Sequence, residues 1–156
     1  MRALYWTAFW VFLLDQATKY IVVHAMDLRM LGRIDVLPPY LNLRMAWNYG
    51  INFGLMAGDN PITRWVLIAV ALLICGAVLW WVHHEPASRW QKIAAGFLVG
   101  GALGNVIDRL IYGAVADFLN MSCCGIDNPY AFNLADIAVF VGAFGLVLLP
   151  GAKKPS

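Results

Sequence analysis

The chain has 156 residues, of which 62% are hydrophobic and only 13% are charged, and its mean hydropathy is +0.68. A soluble domain carries about 25% charged residues, so the composition argues against a soluble protein and predicts one polytopic membrane domain over residues 1–156. The formal net charge is only +2 and the sequence has no basic stripe, which argues against nucleic acid as a partner.

The first predicted membrane span covers residues 4–26, since a spanning helix needs about 20 mostly apolar residues. Asp15, Gln16 and Lys19 interrupt it. Asp15 and Lys19 are four residues apart with the acid first, so a helix places them on one face, where we expect a structural pair. No small-x-small cleavage site follows the apolar run, which favours a retained span over a cleaved signal peptide.

The link after this span contains a predicted β-element within residues 27–63. In YLNLRMAWN, residues 40–48, large apolar side chains alternate with smaller or polar ones, and this period of two predicts a half-buried strand. The sequence NYG at 48–50 predicts a turn. Open strand edges are not tolerated in hydrocarbon, so we expect this element at the membrane surface.

Two further spans are predicted over residues 65–82 and 93–111. The third span carries Gly96, Gly100 and Gly104, which form two overlapping GxxxG patterns. Small residues at this spacing let helix backbones approach closely, so the pattern predicts helix packing rather than phosphate binding.

The third span ends in GNVIDR, residues 104–109, which places three polar side chains near the edge of the hydrocarbon. Asn105 precedes Asp108 and Arg109 by three and four residues, so a helix places it beside both. A polar helix end at the interface explains an arginine, but an aspartate cannot extend far toward water. The three residues are therefore candidate site residues.

The fourth predicted span covers residues 132–150 and begins with Asn133 and Asp136, three apart on one helical face. Asp117 precedes it within VADF. Ionisable residues in a membrane span are functional candidates by default. If the ends of the last two spans meet, Asp117 and Asp136 face each other, and two close carboxylates in a poorly solvated site share one proton. That arrangement can activate a water and protonate a leaving group.

Other chemistries lack their motifs. The sequence contains neither HExxH nor GxSxG, which argues against zinc-protease and serine-hydrolase sites. The motifs supply no His or Cys ligand near Asp117 and Asp136, so we expect neither a metal nor a cofactor. Cys75 is predicted to be a small residue in the core or facing lipid. Cys123 and Cys124 are adjacent, bridge poorly, and are predicted to be dispensable for chemistry.

Five short motifs of this chain resemble, in order, those of lipoprotein signal peptidase (signal peptidase II). They are DQATK at 15–19, NYGINFG at 48–54, GNVIDR at 104–109, VADF at 115–118 and FNLAD at 132–136. The resemblance covers nearly the whole chain and implies an all-α membrane protein with four transmembrane helices and a small periplasmic β-element at the membrane surface, the family's β-cradle. One departure is Asn52, where the family more often has a small residue.

The resemblance also implies an activity. Members are aspartic endopeptidases of the bacterial inner membrane that remove signal peptides from prolipoproteins, just before a cysteine carrying a diacylglyceryl group. It implies catalytic roles for Asp117 and Asp136. The resemblance implies supporting or substrate-binding roles for Asn48, Asn105, Asp108, Arg109 and Asn133. We expect Gly50, which lies in the same motif as Asn48, to belong to the site as well. Membrane lipids and globomycin-type inhibitors are the other implied partners, and no cofactor is implied.

The orientation in the membrane follows only weakly from charge. Four spans place both termini on one side, and the positive-inside rule then compares the two sides. Each side has five basic residues: Arg2, Arg89, Lys92, Lys153 and Lys154 against Arg29, Arg33, Arg44, Arg64 and Arg109. Setting aside Arg109 and the arginines of the long link favours cytoplasmic termini. The resemblance implies the same topology, with the active site toward the periplasm.

Two rival functions stay open. One is a small transporter or assembly subunit that uses the acids of the spans as a proton path, although these acids gather toward one membrane face: Asp15, Asp108, Asp117 and Asp136. The other is a catalytically inactive lipoprotein binder, although the chain has every acid of the family motifs. Release of a signal peptide from a modified precursor separates both rivals from the peptidase.

Overall fold

The computed structural model describes residues 1–50, 61–123, 125 and 128–152. These residues form five α-helices and three β-strands in the following order: α1 (Arg2–Lys19), α2 (Leu28–Leu31), β1 (Arg33–Leu37), β2 (Leu41–Asn48), α3 (Pro61–His84), α4 (Arg89–Tyr112), β3 (Val115–Met121) and α5 (Leu134–Leu148). A π-helical segment, Tyr20–Ala25, continues α1 without a break, so the first helical stretch nearly matches the predicted span.

Helix α4 is central to the helical part of the molecule, since it packs against α1, α3 and α5. Its glycines make the close approach to α1 possible. A Cβ added at Gly96 would lie 2.7 Å from the Leu4 carbonyl oxygen, and one at Gly100 would lie 2.6 Å from that of Ala8. The packing role predicted for this glycine pattern is therefore confirmed.

We expect Gly100→Ala to destabilise the helix packing, because its methyl group would overlap the backbone of α1. Overpacking of this kind costs roughly 1–3 kcal/mol. The matched control is Gly76→Ala in α3, where an added Cβ meets nothing within 4 Å, so only helix propensity changes, in the stabilising direction. Thermal unfolding in detergent checks both. Equal midpoints for the two variants would contradict the packing account.

The three strands form one antiparallel sheet in the order β1-β2-β3. The predicted strand in residues 40–48 is present as β2. The predicted bounds of the β-element, residues 27–63, are too narrow, because β3 follows α4 and pairs with β2 through Ala46 opposite Asp117 and Asn48 opposite Val115. Asp117 therefore lies on a strand rather than at a helix end.

The segment before α5 is attached to the same sheet. Phe132 exchanges backbone hydrogen bonds with Leu119, at 3.0 Å and 2.8 Å, and its carbonyl also accepts from the Phe118 N–H at 3.1 Å. This bridge fixes the start of α5 against β3. Asp117 on the strand and Asp136 in the first turn of the helix are brought together as a result.

Among the described residues, two helices are long and apolar enough to cross a membrane, Ile62–His84 and Arg89–Tyr112, and Leu134–Leu148 is apolar but shorter. Helix α1 carries Arg2, Asp15 and Lys19 within its 18 residues. The number of four spans therefore stays a prediction. Large apolar side chains nevertheless cover the exterior of the helices, with Leu73 72% exposed and Val147 81% exposed.

Candidate active site

The N-terminus of α5 positions the first candidate acid. Asn133 is the N-cap residue, and its side chain accepts a hydrogen bond from the Asp136 N–H at 2.9 Å. The Asp136 carboxylate returns the contact by accepting from the Asn133 N–H at 3.2 Å. This reciprocal capping box holds Asp136 in the first turn, where the helix dipole favours a negative charge.

Side-chain amides connect the two candidate acids. The Asn133 Nδ2 donates to Asp117 Oδ1 at 2.7 Å and to Asn105 Oδ1 at 3.2 Å. Asn105 Nδ2 in turn donates to Asp136 Oδ1 at 2.9 Å. Asn133 is fully buried and Asp117 nearly so, whereas Asp136 is partly exposed, so the amide donors hold one buried and one partly exposed carboxyl group.

The end of β2 completes the hydrogen bonding of Asp117. Asn48 Nδ2 donates to Asp117 Oδ2 at 3.0 Å, and Asn48 Oδ1 accepts from the Gly50 N–H at 3.1 Å. The Gly50 carbonyl accepts from Arg109 Nη2 at 3.3 Å, and Arg109 Nη1 donates to the Asn105 carbonyl at 3.3 Å. The turn predicted at residues 48–50 therefore ties Arg109 to the same site.

A cavity of about 790 Å³ opens onto this network. Few polar side chains line it, namely those of Asn48, Asn105, Arg109, Asn128 and Asp136. Its larger apolar lining includes Tyr130, Phe132, Ile137, Phe140 and Val141. A mostly apolar cavity with a few converging polar groups is typical of a ligand site.

The two acids differ in their exposure to this cavity. Asp136 is among its lining residues, whereas Asp117 is not and is only 2% exposed. Burial raises the pKa of the Asp117 carboxyl from 3.8 to about 7, and the negative charge of Asp136 acts in the same direction. The hydrogen bonds from Asn48 and Asn133 and the charge of Lys19 oppose part of this increase in pKa. The Asp117 carboxyl therefore holds its proton at pH values below about 7.

The residues of GNVIDR divide between two environments. Arg109 and Asn105 line the cavity, whereas Asp108 is buried against α1 and β3, where it pairs with Lys19 at 2.8 Å. The predicted contact between Asp15 and Lys19 is present, at 2.8 Å. Asp15, Lys19 and Asp108 thus form a second polar cluster that does not line the cavity.

Comparisons with known proteins show the family to which this chain belongs. A family model described as Signal peptidase (SPase) II matches residues 7–150. The chain belongs to the signal peptidase II family. A lipoprotein signal peptidase of Aeromonas hydrophila subsp. hydrophila is 40% identical over 144 residues, which cover 92% of this chain and 84% of that protein. One of Vibrio parahaemolyticus is 37% identical over 150 residues, which cover 96% and 87%.

Two solved structures, each described as a bacterial membrane enzyme, have the same fold. Their TM-scores are 0.80 and 0.78, both at 28% sequence identity. The match covers 95% of this chain in both cases and 87% and 92% of the solved chains. A mostly helical chain with a small three-stranded sheet is therefore an architecture that this member of the signal peptidase II family shares with solved membrane enzymes.

Some features of this family member were absent from the sequence predictions. Gln16 and the aromatic lining of the cavity were not identified as parts of either polar cluster or the site. The capping role of Asn133 was signalled by its position three residues before an acid at the start of an apolar run. Asn52 and Cys124 lie outside the described residues. Cys75 is buried against Leu98 and Val99, as the core alternative predicted.

Proposed function

We propose that this chain is an aspartic endopeptidase that removes the signal peptide from diacylglyceryl-modified prolipoproteins, cutting before the modified cysteine. Asp117 and Asp136 act as its catalytic dyad. The observation that carries the proposal is the amide network that holds the buried carboxyl group of Asp117 beside the partly buried one of Asp136, at the edge of one apolar cavity. Family membership supports the substrate class, since the relatives described above are lipoprotein signal peptidases.

The mechanism follows from the different environments of the two acids. Asp136, which lines the cavity, accepts a proton from a water molecule as that water attacks the scissile carbonyl carbon. Asp117, which holds the shared proton, donates it to the carbonyl oxygen. The resulting tetrahedral diol collapses when the proton on Asp136 passes to the leaving amine nitrogen, the C–N bond breaks, and one diol hydroxyl returns its proton to Asp117. No covalent enzyme intermediate forms, and the dyad returns to one shared proton.

The remaining polar groups hold the peptide and the dyad. Arg109 lines the cavity and is tethered by two backbone carbonyls, so its guanidinium is placed to bind carbonyl groups of the substrate. Asn48, Asn105 and Asn133 keep the carboxyl groups oriented. The apolar wall formed by α5 suits the acyl chains of a lipid-modified cysteine, which enter from the bilayer.

The membrane placement is part of the proposal. We infer four spans, formed by α1 with its π-helical continuation, α3, α4 and α5. Both termini are then cytoplasmic, and the sheet and the dyad face the periplasm of a bacterial inner membrane. The exposed apolar side chains of α3 and α5 support contact with lipid, since soluble monomers rarely expose large contiguous apolar surfaces. Globomycin-type peptides are expected to compete for the cavity.

Purified protein in detergent, incubated with a diacylglyceryl-modified precursor, tests this function. We expect the signal peptide to be released, and the unmodified precursor to be cleaved far more slowly. Binding of the precursor without release of peptide would indicate an inactive lipoprotein binder. Neither binding nor release would favour the transporter hypothesis. Either result would contradict the proposal.

The activity is expected to fall as the pH rises through about 7, the pKa of Asp117. Below that value Asp117 keeps its proton and donates it; above it Asp117 is ionised and the acid is lost. A profile of kcat/KM against pH checks the position of this decline. Asn48→Ala removes a hydrogen bond that favours ionised Asp117, so the decline should move to higher pH. A decline that stays in place would contradict the assignment to Asp117.

Chelation is expected to leave the activity unchanged. Among the described residues, no group of three or more His, Cys, Asp or Glu side chains is arranged to hold a metal ion. The carboxyl oxygens of the dyad also already accept hydrogen bonds from amides. Dialysis against EDTA followed by the cleavage assay checks this expectation. Activity that disappears and is restored by one specific ion would require a metal-dependent mechanism.

A further inference from the structure

The buried cluster beside the cavity contains more charge than stability requires. Asp15, Lys19 and Asp108 are 0%, 5% and 1% exposed, so two carboxylates and one ammonium group are buried together. Replacing such groups by apolar residues is often neutral or stabilising, which makes a buried ion cluster a weak source of stability. The contacts of this cluster indicate another role.

Two side chains connect the two carboxylates. Lys19 Nζ lies 2.8 Å from Asp15 Oδ2 and 2.8 Å from Asp108 Oδ2. Gln16 Nε2 makes a parallel connection, donating to Asp15 Oδ2 at 3.2 Å and to Asp108 Oδ1 at 3.1 Å. We call Asp15, Gln16, Lys19 and Asp108 the polar brace.

The outer contacts of the polar brace reach the backbone next to each catalytic acid. Asp108 Oδ2 accepts a hydrogen bond from the Ala116 N–H at 3.2 Å, and Ala116 directly precedes Asp117. Asp15 Oδ1 accepts from the Ala135 N–H at 3.0 Å, and Ala135 directly precedes Asp136. Each carboxylate thus holds the backbone one residue before one member of the dyad.

A third contact enters the site itself. Lys19 Nζ donates to Asn105 Oδ1 at 3.3 Å, and Asn105 Nδ2 donates to Asp136. The lysine is therefore in contact with both carboxylates of the brace and with an amide of the dyad network. None of the four brace residues lines the cavity, so none is placed to touch the substrate.

We propose that the polar brace fixes the separation between the backbones that carry Asp117 and Asp136, so that its four members are positioning residues for the dyad. This inference rests on the proposed function. The Phe132 bridge already joins the start of α5 to β3, and the brace is a second, polar connection between these two elements, formed by side chains of α1 and α4. Misplacement of a catalytic group by about 1 Å can reduce the rate roughly 10²-fold, so a connection of this kind affects turnover.

Asp108→Asn is the first test, because it leaves one buried carboxylate paired with one ammonium group. The new amide cannot accept from Ala116 and also satisfy both Lys19 and Gln16, which are donors. We expect kcat per folded molecule to fall by about 10- to 100-fold, with KM unchanged because the cavity lining is intact. A kcat within twofold of the parent, or a rise in KM alone, would overturn the proposal.

Gln16→Met is the second variant and does not depend on the first one folding. It keeps all three charges and nearly the same volume, and removes only the neutral connection. We expect a smaller fall in kcat, again with KM unchanged. Amide hydrogen exchange gives a direct readout, since the Ala116 and Ala135 N–H groups should exchange faster in both variants. Parent-like protection of these two amides would overturn the proposal.

Two controls separate positioning from stability. Val82→Ala removes buried apolar contact in the cluster with Leu4 and Ala95, so it should lower the thermal midpoint without changing kcat per folded molecule. Arg33→Gln removes an exposed ion pair of 2.7 Å with Asp35 and should change neither. A parent protein that releases no peptide would contradict the proposed function, whereas the amide exchange would still decide whether the brace holds the two backbones.

Discussion

Asp117→Asn and Asp136→Asn are each expected to abolish release of the signal peptide while the protein still folds. Asparagine has nearly the same shape as aspartate, but only one of its two terminal atoms accepts hydrogen bonds, and it neither donates a proton as an acid nor takes one from water. We expect losses of about 10⁴-fold or more in kcat, as for the removal of acid–base groups in other hydrolases. Initial rates with a diacylglyceryl-modified precursor measure the loss.

The double variant should be hardly slower than either single one, because the two carboxyl groups act as one unit. Asp35→Asn on strand β1 is the matched control, since it removes an exposed carboxylate that pairs only with Arg33 among the ion pairs of the described residues. It should keep the parent rate. Turnover within tenfold of the parent in either single variant of the dyad would refute the assignment of Asp117 and Asp136.

Asn133→Ala should produce the second largest effect, because one side chain caps α5 and also donates to Asp117. Loss of an N-cap costs about 1 kcal/mol of stability. Loss of the 2.7 Å hydrogen bond releases Asp117 from its orientation, for which we expect a fall in kcat of about 10²-fold. Thermal unfolding and initial rates, measured on the same preparation, separate the two consequences.

Ser88→Ala provides a closely matched control for Asn133→Ala. Ser88 caps α4 through the same kind of reciprocal contact, with Gln91, but it lies at the opposite end of α4 from Asn105 and the site. We expect a similar decrease in stability with no change in kcat. Asn133→Ser keeps a side-chain oxygen that can cap α5, but the serine side chain is too short to reach Asp117. This variant should therefore keep the stability and lose the activity. Equal activity in Asn133→Ala and Ser88→Ala would contradict the orienting role.

Local sequence patterns predicted several elements correctly because their physical cause is local. The alternation in residues 40–48 identified β2, although the burial of that strand does not alternate strictly, since the neighbours Asn42 and Leu43 are both buried. The glycine spacing in α4 identified a close helix contact, and the spacing of Asp15 and Lys19 identified their ion pair. In each case the signal is a side-chain periodicity that the element itself imposes.

Strand β3 was missed because it lacks that periodicity. Val115, Ala116, Asp117 and Phe118 are all buried, since the strand is covered on both faces and pairs with β2 and with Phe132. A strand buried on both faces shows no alternation of polar and apolar residues. The pairing partners are also distant in sequence, so no local pattern could reveal that Asp117 lies opposite Ala46.

Of the second polar cluster, the sequence predicted the pair of Asp15 and Lys19 but not the place of Asp108 beside it. Asp108 and Arg109 are adjacent, and successive residues on a helix point about 100° apart. The sequence prediction assigned both residues to one site together with Asn105. In the structure, Asp108 faces α1 and Arg109 faces the cavity. The contacts of Asp15 and Asp108 with the backbones of Ala135 and Ala116 depend on how four elements pack, which the sequence does not display.

Mass spectrometry of the products formed from a diacylglyceryl-modified precursor tests the central claim most directly. The account predicts two fragments, the intact signal peptide and a mature protein whose first residue is the lipid-modified cysteine. It also predicts that neither fragment appears with the Asp117→Asn and Asp136→Asn variants. A cut at any other bond, or the same fragments in equal yield from those variants, would contradict the account.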